Sequence, residues 1–427
     1  MEKKKVDLLV GNTSEVVTCK SGGYALKGEA MREANVFKEA WFAIDRGMIV
    51  ALGTQSDIDS RFESDSFVDA GGMSIIPGFV ESHTHLVFAG NRINEFELKI
   101  RGAEYLEILQ AGGGIHSTVK ATRDASEQSL FERASSNLQL LRRAGVTACE
   151  VKTGYGLDTE SELKMLRVIK RLASEFEMTV IPTFLPAHAI PIEMKNRDDE
   201  YTELICSEMI PKALSEWGEI EYKLRGAVNG IFIDVFCEKG AFSLAQSKRV
   251  IETASNLGFG IKAHVDEFTN LGCAGYAIEK GAVSIDHLDH TSDREIRMLS
   301  ESNTVGVVTP GVNFNLGSCD FADARKLIDY GCAVALSTDY NPGSSPCPSP
   351  SMIMAIACRY QKLLPSEALN AFTINGAAAL GAESFLGSLE EGKFADFLIL
   401  ETDDFREICY EFGSNPVRAA FRKGIAI

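Results

Sequence analysis

The feature that most constrains this chain is a repeated unit, a short apolar run rich in β formers followed by a helical segment. Runs ending in "FVESHTH", "ACEVKTGYG", "MTVIPTFLPAHA", "IFIDVFCEKG", "IKAHVDEF", "VSIDHLDH", "VGVVTPGVNF" and "CAVALSTDYNPGSS" make eight such units. Strands alternating with helices imply a parallel sheet, and eight repeats match a (β/α)8 barrel. Two helices are legible in detail. "DTESELKMLRVIKRLASEF" sets Leu163, Leu166, Ile169 and Leu172 at helical spacing. An earlier helix is expected to start near Asp124, with Glu127 completing a capping box and Leu130, Ala134, Leu138 and Leu141 forming its apolar stripe.

Outside the repeats the pattern changes. From residue 6 to about 76, short apolar runs are broken by Asp-Arg-Gly and Gly-Gly and read as β hairpins; "GSLEEGKFADFLILE" and "RAAFRKGIAI" repeat that style at the other end. The expected organisation is a small β-sandwich domain formed by residues 1–76 and 384–427 around a barrel at 77–383. Residues 195–228 are charged and helical in tendency and read as a peripheral helix and connector.

Composition narrows the function. A net charge of −17 works against binding DNA or RNA. No apolar run approaches the roughly 20 residues that span a bilayer, and "MEKKKVDLLVG" lacks the pattern of a secretion signal. Ten cysteines without a C-x-x-C pair suggest free thiols in a reducing cytoplasm.

All seven histidines fall between residues 83 and 290, inside the expected barrel. His83, His85, His188, His264 and His287 lie near the C-terminal ends of strands, the face where barrel enzymes carry their chemistry. Side chains two apart on a strand share a face, so His83 and His85 can aim at one ion. With His264 on the fifth strand, His287 on the sixth and Asp339 on the eighth, imidazoles and a carboxylate form a metal set with room for water.

That order of ligands resembles the amidohydrolase superfamily of metal-dependent hydrolases. The stretches "PGFVESHTHLVFAGNRINEFELKIRGAEYLEILQAGGGI", "EVKTGYGLDTESELKMLRVI", "DVFCEKGAFS", "DHLDHTSD" and "STDYNPGSSP" are similar, more narrowly, to the branch that opens the ring of imidazolone propionate in histidine degradation. The resemblance covers nearly the whole chain. It implies a homodimer, metal ligands at His83, His85, His264 and Asp339, and one zinc or iron ion per chain that lowers the pKa of its water to about 7. A second ion on a carboxylated lysine is not expected, because Lys239 lies past the end of strand four and Lys152 belongs to strand two.

The resemblance also implies substrate contacts at Arg92, Tyr155, His188, Glu267, Asn341, Gly343 and Ser344, with Tyr105 a weaker addition. Arg92 suits a bidentate grip on the substrate carboxylate; its plainer reading is a surface salt bridge. Tyr155, between two glycines, is expected to expose its ring on a loop, unless it anchors a turn. The "NPGSS" loop offers backbone N–H groups and a hydroxyl for the second carboxylate formed in the product. Glu267, His287 and Asp339 are the catalytic candidates, sharing proton transfer and oxyanion stabilisation in a division the sequence leaves open. Asp289 stands where the family often has glutamate, and "SSPCPSPSM" is unusually proline-rich. The nearest rival is a related deaminase or cyclic amidase acting on a guanine, cytosine or hydantoin-like ring, which would not need Arg92, Tyr155 or the loop from Asn341 to Ser344.

Overall fold

The computed structural model describes residues 3–102, 113–218 and 222–427. Eight parallel strand positions follow one another round a barrel: β1 Phe79–Glu81, β2 Val146–Lys152, β3 Thr179–Ala187, β4 Phe232–Cys237, β5, β6 Ser284–His287, β7 Val305–Val308 and β8 Ala333–Leu336. β5 consists of two short pieces, Gly260–Ile261 and His264–Val265, both paired to β4. Between β8 and β1 the ring closes just past the strand ends, where Thr84 bridges Tyr340 in parallel and the His85 N–H donates to the Tyr340 carbonyl at 3.0 Å. β2 and β3 are buried along their whole length, as strands covered on both faces must be.

The helix Thr159–Glu175 forms where its spacing predicts. Asp158 caps it by accepting from the Ser161 N–H, and Leu166, Ile169 and Leu172 are fully buried. Each such leucine contributes about 1.5–3 kcal/mol. The earlier helix differs from expectation at its start. Asp124 closes a separate helix, Ile115–Asp124; Ala125 is extended, and the next helix, Glu127–Arg143, is capped by Ser126 accepting from the Ser129 N–H. The break falls at Ala125, and its stripe of Leu130, Ala134, Leu138 and Leu141 is buried as read.

Both chain ends contribute to one pair of sheets. One has six strands in the order 425–426, 417–422, 397–400, 74–77, 15–17, 36–38, and the other four in the order 48–53, 41–45, 8–11, 67–69. Phe42, Ile44, Val10, Ile75, Phe397 and Phe421 pack into a single apolar cluster drawn from both sheets. Hairpin pairing is less general than the N-terminal pattern suggests. Trp41–Asp45 and Met48–Gly53 do form a tight hairpin, turning on Arg46 (φ 52°) and Gly47 (φ 74°) as a two-residue turn with both φ values positive requires. Leu8–Gly11 instead pairs in parallel with Phe67–Asp69, and Glu15–Val17 in parallel with Ser74–Pro77. Apolar runs separated by turn residues report strands but not their partners: Leu8–Gly11 also pairs antiparallel with Trp41–Asp45, and Ser74–Pro77 takes the distant C-terminal strand Phe397–Leu400 on its other edge. Within residues 195–228, the described part is mainly the helical stretch Asp198–Trp217, lying outside the strands.

Candidate metal centre

His83 and His85 follow β1 directly, His264 opens the second piece of β5, His287 ends β6, and Asp339 follows β8. All five side chains are buried. The Nε2 atoms of His85 and His264 lie 3.4 Å apart, and Asp339 Oδ1 lies 3.4 Å from His83 Nε2 and 3.5 Å from His85 Nε2. Tetrahedral bonds of about 2.0–2.1 Å set neighbouring ligand atoms about 3.3–3.4 Å apart. The donor set therefore fits one metal ion. Buried His83 Nε2, His287 Nε2 and Asp339 Oδ1 have no hydrogen-bond partner among the described residues, which is the condition of atoms reserved for another ligand.

Tautomers follow from what stands behind the rings. His83 Nδ1 lies 2.7 Å from Asp286 Oδ2, and a carboxylate there requires that Nδ1 carry the proton and donate it. His264 Nδ1 lies 2.9 Å from Asp234 Oδ2, and the Asp234 Oδ1 atom accepts from the His264 backbone N–H at 3.1 Å. In both rings Nε2 is left as a lone-pair donor facing the cluster. Burial, then nearby positive groups, holds His83 and His85 well below the ordinary imidazole range, so they present the neutral form that a metal requires. Burial likewise pushes Asp339 well above the usual carboxylate range; a cation against its oxygen would reverse that sense.

Backbone strain gathers at the same place. His287 (φ 84°), Leu288 (φ 70°), Asp266 (φ 57°) and Asp339 (φ 48°) are all left-handed without being glycine. His287 Nδ1 lies 3.1 Å from Thr309 Oγ1, and its Nε2 faces Glu267 Oε2 at 3.9 Å. Burial and the Asp339, Asp289 and Glu238 carboxylates push Glu267 well above its ordinary range, which favours its protonated form. Glu238 also fixes the Glu267 loop, accepting from the Phe268 and Thr269 N–H groups at 3.0 Å each.

Around this core the expected contacts fall into two groups. His188 stacks on His85 with ring centroids 4.9 Å apart and bonds the Gly154 carbonyl at 3.0 Å. Tyr155 is not exposed: its ring is buried against His85, His188 and Phe88, because Glu162 accepts from the Gly154, Gly156 and Leu157 N–H groups and folds the loop inward. Arg92, Asn341 and Gly343 line a neighbouring cavity of about 860 Å³ with Phe88, Phe96 and Phe314. There the structure departs from the simple clamp. Arg92 Nε donates to Glu95 at 2.7 Å and Nη2 to its other oxygen, leaving Nη1 against Gly343. The Gly343 and Ser344 N–H groups both donate to Asn341 Oδ1, at 2.7 and 2.8 Å, and Asn341 Nδ2 donates to Ser344 Oγ at 2.9 Å. An asparagine preceding Pro-Gly closes its own turn, so these N–H groups are already satisfied. Tyr105 lies outside the described residues. Asp289 accepts from Asn313 Nδ2 and the Ala322 N–H, and burial raises it to about 7.

Four further side chains behind the ligands escape the sequence reading. Asp234 and Asp286 orient the histidines, Lys152 pairs with both carboxylates, and Glu81 accepts from the His83 and Thr338 N–H groups, tying β1 to β8. The signal was present in "IFIDVF", "VSIDHL" and "ACEVKTG", where a charge interrupts an apolar strand, but their partners lie far apart in sequence.

Known proteins resemble this chain along nearly its whole length. A model of the amidohydrolase family matches residues 74–425. A protein from Chloroflexus aggregans named imidazolonepropionase is 45% identical over 98% of this chain and 97% of its own length. One of the same name from Herpetosiphon aurantiacus is 45% identical over 98% and 96%. Among solved structures, a zinc-bound adenosine deaminase from Xanthomonas campestris superposes with a TM-score of 0.73 at 19% identity, covering 100% of this chain and 93% of its own. Guanine deaminase from E. coli gives 0.69 at 16% identity, covering 98% of each. At that identity the two structures speak for the fold alone.

Proposed function

The chain belongs to the amidohydrolase family, and we propose that it hydrolyses a ring carbon–nitrogen bond of 4-imidazolone-5-propanoate, giving N-formimidoyl-L-glutamate as in histidine degradation. The observation that carries this reading is the identity of 45% over 98% of the chain to a protein named imidazolonepropionase, combined with a donor set that suits hydrolysis. One zinc or iron ion per chain, held by His83, His85, His264 and Asp339, would supply an acidified water and polarise the ring carbonyl.

The chain's own groups divide the remaining work. Asp339, whose carboxylate faces His83 and His85, takes the proton of the attacking water. His287, buried with a free Nε2, faces the oxygen that gains charge as the carbonyl carbon becomes tetrahedral. Glu267, whose raised pKa favours the acid form, donates to the ring nitrogen as the carbon–nitrogen bond breaks. Tyr155 and His188 wall the reacting ring, Arg92 receives the propionate end, and the Asn341–Gly343–Ser344 turn, its Gly343 and Ser344 N–H groups held by Asn341 Oδ1, stands ready for the second carboxylate of the product once those bonds exchange. Arg92 does so through Nη1, the nitrogen that Glu95 does not engage.

We further read residues 1–76 and 384–427 as one β-sandwich domain beside a barrel at 77–383, and the protein as a homodimer, to be checked by light scattering. The ten cysteines are free, which suits a reducing cytoplasm, and among the described residues no helix is long and apolar enough to cross a membrane. The test of function is turnover of imidazolone propionate by the purified chain, set against guanine, cytosine and hydantoin. Turnover of one of these rings with none of imidazolone propionate refutes the substrate assignment.

A further inference from the structure

Beneath the histidines, Lys152 is fully buried on β2, with Nζ 2.7 Å from Asp234, 3.0 Å from Glu150 and 3.5 Å from Asp286. Two of these carboxylates are the ones that reach the Nδ1 atoms of His264 and His83. They come from β4 and β6, so one ammonium joins the supports of ligands carried by two different parts of the barrel, the end of β1 and β5. Without it, two buried carboxylates would keep only neutral donors, the imidazole N–H groups with the Val235 and His264 backbone N–H groups on Asp234 and the Ser284 hydroxyl on Asp286, and no cation.

We infer that Lys152 is a positioning residue for the metal centre: it holds Asp234 and Asp286 in place, and through them keeps His83 and His264 with Nε2 directed at the ion. This rests on the metal reading of the cluster, but not on which ring the enzyme opens. Glu150, the third carboxylate, forms no hydrogen bond or ion pair with His83 or His264, although one of its oxygens comes within 4.8 Å of a His83 nitrogen, and it has a second cation of its own, Lys262 Nζ at 3.1 Å. Lys262 is anchored in turn by the Ser82 and Ala379 carbonyls at 3.0 and 3.3 Å. Glu150 therefore serves as an internal control, in the same buried cluster and touching Lys152 but without a bond to the Nδ1 atom of a ligand ring.

The experiment measures zinc affinity of the chelator-stripped full chain by competition with a chromophoric chelator, alongside the ¹⁵N signals of its imidazoles. Lys152→Met is expected to weaken zinc binding about 10- to 100-fold, the usual effect of losing an outer-shell partner, and to scramble the Nδ1–H tautomers of His83 and His264. Glu150→Gln is expected to stay within about threefold of wild type, a change small beside that loss. Should Lys152→Met not fold, the charge-neutral double variant Lys152→Met/Glu150→Gln carries the test, and the same loss is expected. A double variant binding zinc as wild type does overturns the inference, as does a Glu150→Gln loss as large as that of Lys152→Met. Wild-type protein that binds zinc yet leaves imidazolone propionate intact refutes the substrate assignment and leaves this test in force.

Discussion

Gly343→Ala probes how the rim of the site is built. A Cβ at Gly343 would stand 2.1 Å from Arg92 Nη1 and 2.8 Å from its Cζ, where ordinary contact begins near 3.4 Å. The guanidinium must therefore move by more than an ångström. Glu95 cannot follow, because it is only 6% exposed and also accepts from the Gly114 N–H at 2.8 Å and pairs with Lys99 at 3.2 Å. At least one of the two Arg92–Glu95 bonds is lost. A hydrogen bond to a charged group contributes about 1.5–3 kcal/mol, and the remaining Lys99 contact with the 16% exposure of Arg92 reduces the net stability loss to about 1–2 kcal/mol. The functional effect is larger. A misplacement of about 1 Å in a positioning group lowers kcat/KM by up to about 100-fold, and here the loss should fall mainly on KM if Arg92 meets the propionate, as proposed, rather than the reacting carbon. Steady-state kinetics on imidazolone propionate, with metal content and thermal midpoint measured in parallel, read all three. An unchanged KM at wild-type metal content would refute both the contact and the role given to Arg92.

Glu267→Gln keeps the shape but removes the proton, so kcat should fall about 10²–10⁴-fold. Because the Glu267 pKa is raised, activity needing its proton is present below that pKa and lost as pH climbs through it; the alkaline limb of the kcat–pH profile should vanish in the variant. Burial raises Glu162 to about 7 from 4.5, so it contributes stability below the lower value that is lost as pH rises through the upper, about 3 kcal/mol in all. Glu162→Gln should be less stable throughout, having one acceptor fewer for the Tyr155 loop, but should flatten that decline in denaturant titrations between pH 4.5 and 8. Removing metal with a chelator should lower the thermal midpoint reversibly, by an amount near 2.7 kcal/mol where free zinc stands at about 100 times Kd. A midpoint indifferent to zinc would contradict a native site.

Much of this architecture is legible because burial writes itself into composition. The eight strands are dense apolar runs, and histidines where such runs end have few reasons to be there besides chemistry. The features the sequence hides are those decided by a partner. The Arg92–Glu95 pair is visible in "RINE" as an i, i+3 contact, but only once a helix is known to run over Ile93–Ile100. Tyr155 looks exposed between glycines until Glu162, a residue of the next helix, collects three N–H groups of its loop. Lys152 reads as an isolated strand charge, since Asp234 and Asp286 lie 82 and 134 positions away.

The central claim is a single-ion hydrolytic centre on His83, His85, His264 and Asp339. Its most direct test titrates metal-free protein with zinc or iron(II) while following imidazolone propionate hydrolysis. Activity should rise to a plateau at one ion per chain and stay absent in His264→Ala. Full turnover by the metal-free protein, or a plateau only at two ions per chain, would contradict it.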